Sequence, residues 1–438
     1  MGGDIVLWML GLLILFILLG THIGIALAIC SALGVWLILG SFEAAVSILG
    51  NTAYEAVRKD VFAVIPLFVL MGDFISRSGA ASDLYRICDR WLKHLPGRLA
   101  VATIAGNTVF AAVTGVSIAA AAAFSRIAYP EMRKVGYKQT FALGAVAGSA
   151  CLGMLIPPSV LLIVWAILTE MSVGALFVAG VLPGIMLAAL FSGYVIIAAK
   201  LKPEIAPAFE EPLVPLTRDE LRSELIGGIG ILLLILLVIG GIWLGFFTPT
   251  EAAGFGAIGA LLIGLAKGMG WRDVVAAIYL AGKTTAPIMF LLITAQMYSR
   301  LLAIGGAVNF IQGMFVGAGI EPWMLIALMM LIWIVLGMLI DSVSIILLTV
   351  PIFVPVAMSF GVDPLAFAIF GILVIEAGLL TPPFGLLVYT VRGSVTDPTV
   401  TLGKIFAGST PYFVLILIAA LIVLAVPGLA NWLPEYML

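Results

Sequence analysis

The chain has 438 residues, 63% of them hydrophobic and 10% charged, far below the roughly 25% charged residues of a soluble domain. With 21 Lys+Arg against 23 Asp+Glu the formal net charge is −2, which leaves no basic face for a nucleic acid. Three scattered cysteines, Cys30, Cys88 and Cys151, and two histidines have neither zinc-ligand nor redox spacing.

A bilayer-spanning helix needs about 20 apolar residues. No basic n-region precedes the first apolar run, so 5–19 reads as a span rather than a secretory leader. In chain order, further spans are expected at 23–39, 61–76, 141–167, 175–199, 225–244, 250–266, 274–294, 365–391 and 406–426. Two other apolar stretches, 99–128 and 323–358, are interrupted by small and polar residues. Each reads as a re-entrant helical hairpin that enters and leaves on one side. Residues 201–224, with Pro203, Pro207, Pro212 and Pro215, form the long polar linker.

Charge tests this map. With an external N-terminus, 18 of the 21 Lys and Arg residues fall in inner segments. Only Arg58, Lys59 and Arg300 fall outside. Positive charge belongs on the cytoplasmic side, and treating either hairpin as one crossing would swap the later loops and weaken the bias. The expected organisation is scaffold helices at 1–60, a first repeat at 61–200, the cytoplasmic linker, scaffold helices at 225–283, a second repeat at 284–405 and a C-terminal helix at 406–438.

The two halves resemble each other. Gly153-Met-Leu-Ile-Pro-Pro-Ser-Val-Leu-Leu-Ile-Val164 aligns with Gly378-Leu-Leu-Thr-Pro-Pro-Phe-Gly-Leu-Leu-Val-Tyr389, identical at six of twelve positions with an offset of 225. The same offset pairs Ser117 with Ser342 and Pro130 with Pro355. One hairpin opens inward and the other outward, so the repeat is inverted, as in many secondary transporters. The fold class is therefore an all-α polytopic membrane protein with an inverted repeat, two re-entrant hairpins and two broken helices.

Chemistry is expected where the apolar pattern breaks. Pro157-Pro158 and Pro382-Pro383 force the helices at 141–167 and 365–391 to open. Unwound backbone survives in hydrocarbon only when it is buried or lines a cavity, and its carbonyl groups suit a cation such as Na+. The hairpin tips read Thr114-Gly115-Val116-Ser117 and Asp341-Ser342-Val343-Ser344. Hydroxyls and amides at the starts of half-helices suit a carboxylate, or small residues serve close helix packing. Thr114, Ser117, Ser159 and Ser342 are accordingly candidates for substrate contact. Asp341 is the sharpest single residue, because a carboxylate in an apolar hairpin is functional by default; the alternative is a cap on the second arm. Asp341→Asn is expected to abolish transport without lowering membrane levels. Arg300 is a further candidate for an anionic substrate or a partner, with an interfacial anchor as the alternative. Glu376, just before Gly378, is read only as support for the break. No Gly-x-x-x-x-Gly-Lys loop is present, so the chain itself uses no ATP.

These motifs together resemble the large membrane subunit of TRAP (tripartite ATP-independent periplasmic) transporters, along essentially the whole chain. The resemblance implies an ion-transporter-superfamily fold with an elevator motion, in the inner membrane of a bacterium with the N-terminus periplasmic. It implies two partners, a small four-helix membrane subunit and a soluble periplasmic binding protein. Only Met1–Asp4 precede the first span, so the small subunit is expected as a separate chain. It also implies import of an organic acid (a C4-dicarboxylate, sialic acid, another sugar acid or a keto acid) driven by sodium, with no catalytic residue. By position, one sodium site would use the first tip at Gly115 with Gly153, Ile156 and Pro158. The other would lie near Gly337 with Gly378, Thr381 and the Phe384 carbonyl. Val116 replaces a serine found in many relatives, which leaves backbone ligation at that point. Two sodium ions with a dianion move no net charge; a third cation would draw on the potential, worth about 2.3 kcal/mol per charge per 100 mV. The competing readings are a stand-alone cation-coupled carboxylate transporter of the same superfamily and a channel through the two hairpins.

Overall fold

Successive apolar segments of this chain have enough length and hydropathy to fold as helices, and the computed structural model, which describes residues 2–207, 217–317 and 321–437, is built from them. The expected 201–224 linker is only partly covered: Pro212 and Pro215 lie outside the described residues. Helix α1 (Gly2–Leu18) and α2 (Ile23–Leu39) form a pair, followed by α3 (Phe42–Arg58). Helix α4 (Val64–Arg77) turns by 68° into α5 (Ala80–Trp91). Helices α6 (Arg98–Thr114) and α7 (Ser117–Lys134) are the arms of the first hairpin. Helices α8 (Gln139–Ala150) and α9 (Val160–Thr169) are the halves of the first broken helix, and α10 (Val173–Leu201) follows. After the linker come α11 (Arg218–Ile235), a π turn, α12 (Gly241–Trp243) and α13 (Pro249–Ala266). Helix α14 (Trp271–Ile304) leads to α15 (Ala307–Gly317). Helices α16 (Pro322–Gly337) and α17 (Ser342–Ser359) form the second hairpin, α18 (Pro364–Gly378) and α19 (Leu386–Ser394) the second broken helix. The described chain closes with α20 (Leu402–Ala425) and α21 (Gly428–Met437).

Among the described residues six helical segments are long and apolar enough to cross a bilayer, one of them running from α11 through the π turn into α12; α4 and α5 pass the same test only when the bent pair is taken together. Helix α14, with 34 residues, is about 51 Å long at 1.5 Å per residue. The sequence span at 274–294 captured only its apolar middle, and the helix runs unbroken through the boundary expected between 283 and 284. Helices α3, α5, α15 and α21 were not expected as separate elements. Helix α5 carries Asp83, Arg86, Asp89 and Arg90 between apolar residues, so it has a polar face and does not read as a span.

Polar contacts between distant segments agree with the span map, because each joins residues assigned to the same end. At the end rich in basic residues, Lys267 pairs with Asp83 and Arg90 with Glu224. There too Tyr129 donates to Asp397 at 2.8 Å, and Lys404 Nζ donates to Gln139 at 2.6 Å. At the opposite end Lys59 lies 3.4 Å from Glu170, and Asn431 donates to Asp363 at 2.7 Å. Asp73 and Glu251 are local helix features: Asp73 pairs with Arg77 at 2.7 Å, and Glu251 completes a capping box with Thr248.

The two repeats share one core. Trp165 of α9 lies against Trp333 of α16, with ring centroids 6.1 Å apart, and Phe353 and Phe367 pack on Trp333 at 5.3 and 5.5 Å. Gly371 makes room for both indoles. Helices α8 and α20 approach through Gly144 and Gly408, whose backbones leave no space for a methyl group. Small residues serve that purpose in membrane helix packing.

Candidate functional site

The first tip is built by a helix that stops at glycine. Gly115, at φ 62°, takes the left-handed conformation and its N–H returns to the Ala111 carbonyl, an ordinary αL helix end. Val116 is extended and Ser117 opens α7. Across from this tip the first broken helix opens at Pro157-Pro158, a cis peptide. The two are hydrogen-bonded: Val160 N–H donates to the Gly115 carbonyl at 3.3 Å. Gly115 faces the Pro158 carbonyl, and a Cβ on Gly153 would lie 2.9 Å from the Ser117 nitrogen. Thr114, Gly115, Gly153, Pro158 and Ser117 are therefore brought together.

The second tip mirrors this arrangement with different atoms. Phe384 N–H donates to the Met338 carbonyl at 3.3 Å, just past the cis Pro382-Pro383 peptide. A Cβ on Gly337 would lie 2.7 Å from Gly378 Cα, so the hairpin arm and the broken helix meet backbone to backbone. Thr381 donates its hydroxyl to the Gly378 carbonyl at 2.6 Å. Gly337, Gly378, Thr381 and Phe384 thus cluster as a second constellation.

Several candidate side chains have structural partners. Asp341 caps α17: it accepts the Ser344 N–H at 3.0 Å and the Ser344 hydroxyl at 2.5 Å, and the residue is exposed. Ser159 caps α9, donating to the Met154 carbonyl at 2.5 Å and accepting Leu162 N–H at 3.3 Å. Thr114 donates to the Phe110 carbonyl of its own helix at 2.9 Å. Ile156 packs on Gly184 of α10, where an added Cβ would lie 2.7 Å from its side chain. Arg300 is placed elsewhere. It lines a cleft of about 440 Å³ with Glu55, Lys59, Glu170 and Gln296.

The two constellations join through Glu376, which sequence reasoning placed only beside the break. Ser117 Oγ donates to Glu376 Oε2 at 2.5 Å, and Ser342 Oγ donates to Glu376 Oε1 at 2.8 Å. Glu376 is 1% exposed, Ser117 0% and Ser342 4%. One buried carboxyl group of α18 therefore receives one hydroxyl from each hairpin tip. Cys151, its counterpart at the 225 offset, donates its thiol to the Glu376 backbone carbonyl at 3.8 Å. The available signal is a lone carboxylate inside the apolar stretch 365–391.

Chemically the arrangement offers carbonyl oxygens at two helix breaks, two serine hydroxyls and the starts of α7 and α17 directed to one region. Backbone oxygens and hydroxyls are hard ligands for a small cation, and helix N-termini favour an anion. Among the described residues no group of three or more His, Cys, Asp or Glu side chains is placed to hold a metal ion.

The family described as "Tripartite ATP-independent periplasmic transporter, DctM component" matches residues 10–429. The C4-dicarboxylate TRAP transporter large permease protein DctM of Pseudomonas aeruginosa is 32% identical over 386 residues, covering 88% of each chain. The sialic acid TRAP transporter large permease protein SiaM of Vibrio cholerae is 29% identical over 378 residues, covering 85% of this chain and 86% of its own. Among solved structures, the Alcanivorax borkumensis YdaH transporter superposes with a TM-score of 0.60 at 15% identity, covering 90% of each chain, a likeness of fold.

Proposed function

We propose a sodium-driven importer of an organic anion, because this chain belongs to the DctM component family of the tripartite ATP-independent periplasmic transporters and carries two cation-suited helix breaks at one centre. It acts as the large permease subunit. A small membrane subunit and an extracytoplasmic binding protein complete the transporter, and the binding protein selects the substrate. A C4-dicarboxylate or a sialic acid is the chemical class suggested by the relatives' names.

The observation that carries this reading is the meeting of each hairpin tip with a helix break, at Gly115 with Pro158 and at Gly337 with Gly378. Sodium ions would be held there by backbone carbonyls, with hydroxyls of Ser117, Ser342 and Thr381 within the same two clusters. The anion would lie between the tips, near the starts of α7 and α17 and the exposed Asp341. In this reading the hairpins, broken helices and aromatic core travel as one body against a frame that includes α1 to α3, α13 and most of α14. The exposed apolar side chains of α1, α2 and α3, such as Trp8, Leu18, Trp36 and Phe42, then face lipid or the small subunit.

Reconstitution tests the reading. Vesicles containing this chain, the small subunit and the binding protein are loaded by an imposed sodium gradient, and uptake of labelled succinate and N-acetylneuraminate is measured. Accumulation is expected only with inward sodium and all three components. Uptake by this chain alone would favour the stand-alone carboxylate transporter. Flux that ignores sodium and runs down the substrate gradient would favour a channel.

A further inference from the structure

We propose that Glu376 is a positioning residue that ties the two cation sites into one cooperative unit by orienting the Ser117 and Ser342 hydroxyls together. This deepens the sodium-coupled reading above and rests on it. A serine hydroxyl has one hydrogen to give and two lone pairs. In this structure both hydrogens go to the same carboxyl group, Ser117 to Oε2 at 2.5 Å and Ser342 to Oε1 at 2.8 Å. Each Oγ is then left with its lone pairs turned away from Glu376. Ser117 opens α7 beside Gly153, and Ser342 opens α17 in the second tip. Both hydroxyl oxygens therefore stand as acceptors at the edges of the two helix breaks. Donation to a carboxyl group also makes a hydroxyl oxygen a better cation ligand, as outer partners do for metal ligands generally.

The arrangement spans both repeats. Ser117 is 259 residues from Glu376 and Ser342 is 34 away, and the carboxyl group has one rigid plane. A cation that draws Ser117 Oγ toward itself pulls on Oε2, and through the same plane resets Oε1 and Ser342. Cys151 adds a contact from the first broken helix to the Glu376 backbone. The two sites are thus linked by a carboxyl group that touches neither ion.

Glutamine separates this role from simple packing. Its amide keeps the shape but offers one acceptor oxygen and one donating nitrogen. Only one serine can still donate; the other must receive an N–H, which consumes a lone pair. The experiment is equilibrium binding of labelled sodium to the purified full-length chain, with choline keeping ionic strength constant. The wild type is expected to bind sodium with a Hill coefficient above one. Glu376→Gln is expected to bring that coefficient to about one and to raise half-saturation roughly tenfold, the low end for loss of an outer-shell partner. Ser117→Ala combined with Glu376→Gln is expected to bind no more weakly than Ser117→Ala alone, because the remaining serine keeps the amide oxygen. Wild-type cooperativity in Glu376→Gln, or additive losses in the double variant, would overturn the proposal. Should Glu376→Gln not insert, Ser342→Ala carries the test: loss of cooperativity with both ions still bound, the first site weakened as well, supports the link, whereas loss of one ion with the affinity of the other unchanged overturns it. A wild-type chain that binds no sodium would instead sink the sodium-coupled reading itself.

Discussion

Replacing Gly337 with alanine probes the backbone contact between the second hairpin and the second broken helix. The new Cβ would lie 2.7 Å from Gly378 Cα and 3.1 Å from the Ile375 carbonyl oxygen. Carbon atoms settle at about 3.5–4.0 Å, so the arm must retreat by roughly 1 Å. Both atoms it meets are helix backbone, so no rotamer change relieves the collision. Overpacking of this kind costs about 1–3 kcal/mol, equivalent to roughly 5- to 150-fold in an equilibrium constant. Alanine is meanwhile about 1 kcal/mol better than glycine within a helix, so α16 itself is not weakened. The expected phenotype is normal membrane abundance with a half-saturating sodium concentration raised about tenfold or more in vesicle uptake. Gly254→Ala on α13, where a Cβ meets nothing within 4 Å, is the matched control and should transport normally. Wild-type sodium dependence in membrane-inserted Gly337→Ala would refute the reasoning.

Asp341 allows its two roles to be separated. Asparagine caps a helix about as well as aspartate, whereas alanine loses about 1 kcal/mol; Asp341→Asn should therefore keep thermal stability and lose uptake, and full uptake would remove the charge from the mechanism. Lys267 and Asp83 form a pair whose side chains are each 6% exposed, so Lys267→Met should cost about 3–5 kcal/mol by stranding a buried charge. Asp83→Asn in the same chain should recover part of that loss in a thermal-melt assay; no recovery would mean the pair is not the source. Asp397 lies between α19 and α20, and its carboxyl is held down to about 2 from 3.8, first by the Thr399 hydroxyl, then by the Thr399 N–H and Tyr129. A depressed carboxyl contributes stability above its unfolded value and loses it as pH falls through its folded value. The melting-temperature gap between wild type and Asp397→Asn should therefore be constant above about pH 4 and close toward pH 2; a gap that persists below pH 2 would contradict that.

The hairpins and broken helices were legible because glycine, serine and paired proline interrupt otherwise apolar runs, and because the interruptions recur at one offset. The ends of α6, α7, α16 and α17 fall within a few residues of the predicted arms except at Lys134, where the helix continues past Pro130. Glu376 was harder to read. Its partners are far away in the chain, and neither local periodicity nor the repeat places a carboxylate there, since the matching position is Cys151. Ser159 and Asp341 show the opposite problem: a hydroxyl or carboxylate at a helix start satisfies backbone N–H groups, and the sequence pattern for a cap is the same as that for a ligand. Helices α3 and α5 escaped because a mixed polar and apolar segment does not meet a span criterion.

The contact between Cys151 and Glu376 also bears on how such a duplicated chain can diverge. Positions equivalent under an inverted two-fold relation can touch only beside its axis, and these two do. A cysteine in place of Glu376 would leave Ser117 and Ser342 without their shared acceptor. The halves are unequal here: one supplies a thiol, the other the single carboxyl group that takes a hydroxyl from each hairpin tip.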